Sequence, residues 1–149
     1  MISKTILTSF IGFLCFVSLA LAGEKPVNTT LFGVAIKGYD PVAYFTEGKP
    51  MKGDSRFSYE WKGATWRFAR AEHRDAFMAT PEKYAPQFGG YCAWAVSQNY
   101  TANTDPENAW RIVDGKLYLN YSRDIQTKWE RDVPGNIAKG ELHWPKLIE

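Results

Sequence analysis

The stretch PEKYAPQFGGYCAWAV, residues 81–96, contains the local signals from which the rest of the chain can be interpreted. A proline suits the first position of a helix, where the backbone N–H has no helical partner in any case. Two adjacent glycines then permit backbone angles that other residues avoid. The apolar residues 91–96 predict a second short helix, with Cys92 in its first turn. The stretch therefore predicts two short helices joined by a turn, with a thiol near the start of the second helix.

Two β-hairpins are predicted, one before this stretch and one after it. Residues 57–68 alternate aromatic and polar side chains, which is the period of a half-buried strand, and Lys62-Gly63 provides the turn. Asp114-Gly115, between two apolar segments, is the strongest short hairpin signal in the chain. Residues 31–36 are a further short apolar run, interpreted as either a strand or a packed arm.

Short helices are predicted beside the hairpins. Residues 71–79 are helix-forming, with Phe77 facing inward. Ser122 can cap a helix from residue 123 to about 133, and a last helix then begins at a proline and runs toward Trp144. The predicted fold class is therefore α+β, a small single domain of short β-hairpins packed with short helices.

The N-terminus is interpreted as a signal peptide over residues 1–22. Lys4 provides a positive start, residues 6–19 are mainly apolar, and Ala-Leu-Ala before Gly23 matches a cleavage pattern. The apolar run is shorter than the roughly 20 residues that a membrane span requires. The prediction is a cleaved Sec-type signal, a periplasmic or secreted domain over residues 23–149, and no membrane span after cleavage. An uncleaved anchor is the alternative.

Composition excludes some partners and leaves others open. The formal net charge of +2 gives no basic footprint for nucleic acid or an anionic membrane surface. Six Trp and eight Tyr predict an aromatic core, with an aromatic ligand cage as the alternative.

The cysteine count sets the main functional question. Cys15 lies in the leader, so Cys92 is the sole thiol of the predicted mature chain, and no internal disulfide can form. Such a cysteine is buried, metal-bound or reactive. A helix start favours the thiolate, whereas the apolar neighbours favour a buried, protonated thiol. The residues alone leave these alternatives open.

Other candidate groups are fewer and carry weaker signals. His73 lies on the helix after the first hairpin, and His143 lies near the C-terminus. A cysteine with one or two histidines would suit a soft or borderline ion such as copper or zinc, although no CxxC or HExxH spacing is present. Asp40 is interpreted as a helix cap. No glycine-rich phosphate loop occurs, so no organic cofactor is predicted, and no nucleophile elbow indicates a hydrolase.

Several motifs together resemble the exported YHS-domain proteins. They are GYDPVAYF (38–45), the hairpin over 59–68, EHRDAF (72–77), PEKYAPQFGGYCA (81–93) and DGKLYLNYS (114–122). The resemblance covers nearly all of the predicted mature chain, with a motif core at about residues 38–93. Some members of that family carry selenocysteine at the position of Cys92, which implies redox or soft-metal chemistry there.

The resemblance also implies metal binding, with departures at particular positions. YHS domains of copper-transporting ATPases are thought to bind metal through cysteines. This chain has Ala43 and Ala69 where two of those cysteines would stand, and His73 where the third would stand.

Three functions follow as hypotheses. In the first, the protein binds a soft transition-metal ion, copper-like, through Cys92 with His73 as a second ligand, and exchanges it with metal-handling proteins without turnover. This requires the two side chains to lie close together. In the second, the protein is a thiol redox enzyme in which Cys92 cycles between thiolate and sulfenic acid. In the third, it is a structural or interaction module in which Cys92 belongs to the core.

Overall fold

The computed structural model of the protein describes residues 22–149 and confirms the predicted α+β class. These residues form six α-helices and two antiparallel hairpins, and each hairpin is a separate two-stranded sheet. The elements in chain order are α1 (Ala43–Thr46), β1 (Asp54–Trp61), β2 (Ala64–Phe68), α2 (Ala71–Ala79), α3 (Pro81–Tyr84), α4 (Ala93–Ser97), β3 (Trp110–Val113), β4 (Lys116–Leu119), α5 (Arg123–Glu130) and α6 (Val133–Leu147). None of the helices within residues 22–149 is long and apolar enough to span a membrane. The predicted signal peptide lies outside the described residues, apart from Ala22.

The first hairpin, β1 with β2, follows the predicted alternation. Lys62 and Gly63 both have positive φ, as a tight two-residue turn between twisted strands requires. On β2 the side chains of Ala64, Trp66 and Phe68 are buried, whereas the residues between them are partly exposed. This face of β2 therefore forms one wall of a first hydrophobic cluster.

Helix α2 has the predicted bounds and packs Phe77 against this wall. Phe77 is fully buried, and its ring centroid lies 5.1 Å from that of Trp66 and 5.2 Å from that of Phe68. His73 lies four residues before Phe77 and therefore on the same face of the helix. The packing of Phe77 thus places His73 in the interior as well, where it is only 6% exposed.

A second hydrophobic cluster lies between the second hairpin and the C-terminal helices. Tyr118 of β4 packs on Trp129 of α5, with 5.2 Å between the ring centroids. Phe88, from the turn before α4, contacts both Tyr118 and Trp144 of α6. The second hairpin has the predicted turn, since Asp114 and Gly115 both have positive φ. The first hairpin therefore packs in the first cluster, whereas the second hairpin contributes to both, since Leu117 and Leu119 of β4 belong to the first cluster.

The two C-terminal helices differ from the prediction at their ends. The Ser122 hydroxyl caps α5, as predicted, by accepting a hydrogen bond from a backbone N–H of the first turn. Helix α5 ends at Glu130 rather than near residue 133, because the Asp132 carboxylate accepts a hydrogen bond from the Gly135 N–H and caps α6. Helix α6 also continues past its predicted end, through a proline in its last turn.

The two adjacent glycines of the central stretch are required by close packing. Gly89 and Gly90 have φ of 61° and 79°, which other residues adopt at a cost. A Cβ on Gly89 would overlap the carbonyl oxygen of Pro26, and one on Gly90 would collide with the side chain of Ile36. The turn also shifts the next helix. The sequence predicted Cys92 within its first turn, but α4 begins one residue after Cys92.

Candidate functional site

The first predicted site residue, His73, forms a buried pair with Asp40. The Nδ1 atom of His73 lies 2.5 Å from Oδ2 of Asp40, and Asp40 is 0% exposed. The same Oδ2 accepts a hydrogen bond from the Ala69 N–H, and Oδ1 accepts from the N–H groups of Val42 and Ala43. Asp40 therefore caps α1, as predicted, and also connects α1 and the end of β2 to α2.

The other ring nitrogen of His73 is also in contact with polar groups. Its Nε2 atom lies 3.2 Å from the Thr46 hydroxyl oxygen and 3.4 Å from a Glu47 carboxylate oxygen. Arg70 forms an ion pair with that Glu47 carboxylate at 2.9 Å. We call Asp40, His73, Thr46, Glu47 and Arg70 the Asp40 centre. Both ring nitrogens of His73 have protein neighbours, so the centre connects α1 to α2 without needing a ligand.

Sequence reasoning linked Asp40 to a cap but not to His73. A signal for part of this was present, because a helix that turns Phe77 inward turns His73 inward too. A buried imidazole requires a polar partner. The sequence could therefore have predicted that His73 has a buried partner, although not which acid of the chain provides it.

The second predicted site residue, Cys92, lines a small apolar cavity of about 210 Å³. The lining comes from α4, the loop after it and the start of α5, and comprises Cys92, Trp94, Ala95, Tyr100, Ala102, Tyr121 and Ile125. Cys92 is 1% exposed, whereas Tyr100 and Tyr121 are 50% and 59% exposed. The thiol therefore lies at the inner end of the cavity, and two exposed tyrosines lie at its outer end. We call this the Cys92 pocket.

Burial dominates the electrostatics of this thiol. It raises the pKa of Cys92 above the ordinary value. Three backbone N–H groups, those of Ala95, Tyr121 and Trp94, oppose this rise only in part. The S–H group donates a hydrogen bond to Oδ1 of Asn120, with 3.6 Å between sulfur and oxygen. The thiol is consequently held in its protonated form, and the apolar neighbours outweigh the start of the short helix.

Asn120, next to this thiol, is fully buried, but only one of its two polar side-chain atoms has hydrogen-bond partners. Its Oδ1 atom accepts a hydrogen bond from the Trp94 N–H at 3.0 Å in addition to that from the thiol. Its Nδ2 atom has no hydrogen-bond partner in the part of the chain that the structure describes. Buried donors of this kind are uncommon and call for an explanation such as strain, water or a ligand. In the sequence Asn120 is the first residue of an N-x-Ser sequon, and this pattern does not predict its buried position beside Cys92.

The hydrogen-bond partners of Cys92 and His73 have no residue in common. Within residues 22–149, no group of three or more His, Cys, Asp or Glu side chains is arranged to hold a metal ion. The remaining histidine, His143, places Nδ1 at 3.1 Å from the backbone carbonyl oxygen of Val96. A metal site built from Cys92 and His73 together therefore stays a prediction.

Comparisons of the chain with protein-family models, with curated proteins and with solved structures find no match. The resemblance to exported YHS-domain proteins consequently rests on the sequence motifs. The chemistry of the two sites has to carry any functional conclusion.

Proposed function

We propose that the protein is an exported, non-catalytic binding protein of the YHS type, and that it holds its ligand in the Cys92 pocket. The observation that carries this proposal is the protonated, buried thiol at the inner end of an apolar cavity. The Asp40 centre is the less suitable place for a ligand, because its buried polar atoms already have protein partners.

The pocket is best suited to one apolar group about the size of a single ring. Buried apolar cavities of roughly 150 Å³ bind benzene-sized ligands and exclude water. The Cys92 pocket has a comparable volume and an almost entirely apolar lining, although it is open to solvent on one side rather than enclosed. Its two exposed tyrosines, Tyr100 and Tyr121, can close over a ligand with ring faces.

A titration with toluene, followed by NMR, tests this proposal. Toluene should perturb the backbone signals of Cys92 and Tyr121, and the perturbation should disappear in Ala102→Leu, because the added side chain fills the cavity. Ala138→Leu is the matched control, since Ala138 is exposed on α6 and does not line the pocket. Unchanged perturbation in Ala102→Leu would contradict the proposal.

Copper(I) is a second candidate ligand, and the place of Cys92 in the lining of the pocket favours it. The S–H group donates a single weak hydrogen bond, to an amide oxygen at 3.6 Å, and a soft ion would replace it beside the three backbone N–H groups that face the sulfur. His73 is occupied by Asp40, and a second donor would come from a metal-handling partner. The ion must displace the thiol proton, so its affinity should fall as the pH is lowered.

A copper(I) titration with a competing chelator separates this candidate from the first. One-to-one binding that is lost in Cys92→Ala and kept in His73→Asn would support copper at Cys92 alone. Loss in both variants would restore the two-ligand site, provided that His73→Asn is folded by circular dichroism. Equal, weak binding by all three proteins would remove copper from consideration.

The redox alternative receives the least support from the geometry. The thiolate is the nucleophilic form, and burial lowers its fraction at neutral pH. No basic side chain lines the Cys92 pocket among the described residues. We expect iodoacetamide to alkylate Cys92 at least about ten-fold more slowly in the folded protein than in urea. Equal or faster alkylation of the folded protein would favour the redox alternative.

A further inference from the structure

A second cavity in the described part of the chain is an open groove that is larger than the Cys92 pocket and is lined by four aromatic side chains. Its volume is about 500 Å³, within the range of roughly 300–1,000 Å³ that small-molecule sites occupy. Trp61 and Trp66 of the first hairpin, Phe88 of the central turn and Trp144 of α6 contribute its rings. No residue lines both this groove and the Cys92 pocket. We call it the tryptophan groove.

Some of the aromatic rings that line the groove are buried in the core, and others keep part of their surface exposed. Three of the six tryptophans of the chain line this one cavity. Trp66 is fully buried and forms part of its base, whereas Trp61 and Trp144 are partly exposed. Exposed indole faces provide stacking surfaces for a planar or ring-shaped ligand.

Charged side chains of both signs line the same groove. Lys62 comes from the turn of the first hairpin and Lys116 from the start of β4, and Glu82 and Glu141 come from α3 and α6. All four are exposed, and none forms an ion pair or a side-chain hydrogen bond within residues 22–149. The ammonium of Lys62 lies 4.6 Å from the centroid of the Trp61 ring, so a positive charge and a ring are already adjacent. The groove therefore offers a ring surface, two cations and two carboxylates that are free to pair with a ligand.

From this combination we infer that the tryptophan groove binds a small zwitterionic compound that carries an aromatic ring, as a free aromatic amino acid does. The ring would stack on Trp61 or Trp144. The carboxylate of the ligand would pair with a lysine, and its ammonium would pair with a glutamate. Equal numbers of each charge favour a zwitterion over an anion or a cation, because either of those would leave like charges facing it.

An NMR titration with L-phenylalanine tests this inference. The probe should perturb the indole N–H signals of Trp61 and Trp144. L-Phenylalaninamide lacks the carboxylate and N-acetyl-L-phenylalanine lacks the ammonium, so each should bind more weakly, on the order of two- to five-fold. Glycine lacks the ring and should not bind detectably. N-Acetyl-L-phenylalanine also mimics the C-terminus of a peptide. Tighter binding of L-phenylalanine than of this probe would therefore identify a free amino acid, not a peptide end, as the ligand.

Charge-removing variants localise the site without threatening the fold. Lys116→Gln and Glu141→Gln should each weaken L-phenylalanine binding about two- to five-fold. Lys128→Gln and Glu72→Gln, at exposed positions outside the groove, are matched controls and should bind like the wild type. Cys92→Ala should also bind L-phenylalanine normally, so a failure of the Cys92 pocket and a failure of the groove are distinguishable. Absent binding, equal binding of the blocked analogues, or unchanged binding in both groove variants would overturn the inference.

Discussion

The Asp40 centre and the surroundings of Cys92 both contain buried polar side chains, but they differ in how many of the polar atoms have hydrogen-bond partners. Each carboxylate oxygen of Asp40 accepts at least one hydrogen bond, and both ring nitrogens of His73 have polar neighbours. Beside Cys92, the Nδ2 atom of Asn120 has no partner within the described residues, and a cavity adjoins the sulfur. The difference indicates that the first region holds the fold together through satisfied polar contacts. In the second region the space for a ligand is the cavity itself, because Asn120 does not line it.

Asp40→Ala should produce the largest change in stability and is the strongest test of this contrast. The substitution leaves three backbone N–H groups and His73 without their buried acceptor, so we expect a loss of about 3 kcal/mol or more in the free energy of unfolding. Urea denaturation measures this loss. Asp75→Ala, at an exposed position on α2, is the control and should change stability little. A loss for Asp40→Ala no larger than that control would remove the structural role of the centre.

Asn120→Ala should have an intermediate effect, because only one of the two polar groups of Asn120 is used. It leaves the Trp94 N–H without its acceptor, which should cost about 1–2 kcal/mol in urea denaturation. The unpartnered Nδ2 atom is lost without cost. If Asn120→Ala proved as destabilising as Asp40→Ala, the two regions would not differ as described.

Cys92→Ala should cost about 1 kcal/mol at neutral pH, the value for a small buried group, and its effect should depend on pH. The pKa of the folded thiol is raised by burial, whereas the unfolded thiol titrates near its ordinary value of about 8.5. Below that pH both states keep the proton, so the contribution of the thiol is complete. As the pH rises further, the unfolded chain loses the proton first and the wild type loses stability.

Denaturation series from pH 7 to 10, a range of about three units around the ordinary thiol pKa, check this dependence. The wild type should become less stable relative to Cys92→Ala as the pH rises. Tyrosines with raised pKa values, such as Tyr44 and Tyr118, titrate in both proteins and cancel in the difference. A constant difference across the range would indicate a thiol with an ordinary pKa.

Glu47→Gln should have the smallest effect, although Glu47 belongs to the Asp40 centre. Its carboxylate is partly exposed, and exposed ion pairs such as that with Arg70 contribute about 0.2–1 kcal/mol. Thermal unfolding of the variant, compared with Asp40→Ala, would show that the stability of the centre comes from its buried acid. A loss comparable to that of Asp40→Ala would instead place the main contribution at the surface.

The parts of this molecule that sequence could predict are those governed by local signals. Strand alternation and the turns at Lys62-Gly63 and Asp114-Gly115 located both hairpins, and helix α2 has its predicted bounds. The end of α5 was predicted too late, because Asp132 caps the next helix and this competes with continuation of the first.

The site was harder to predict because its contacts join distant positions. Asp40 and His73 are 33 residues apart, and Cys92 and Asn120 are 28 residues apart. For Cys92, the sequence contained two opposing signals, a helix start and apolar neighbours. Only the packed structure shows that burial is the larger effect on its pKa.

The paired glycines before Cys92 affect how a motif of this kind should be used to recognise related proteins. Gly89 and Gly90 are fixed by contact with Pro26 and Ile36, at a distance in the chain from the thiol and its cavity. A search for the pattern GGYC would therefore select chains that can make this turn, whatever they bind. Residues that line the cavity, such as Tyr100 and Ala102, are the better markers for sorting those chains by ligand.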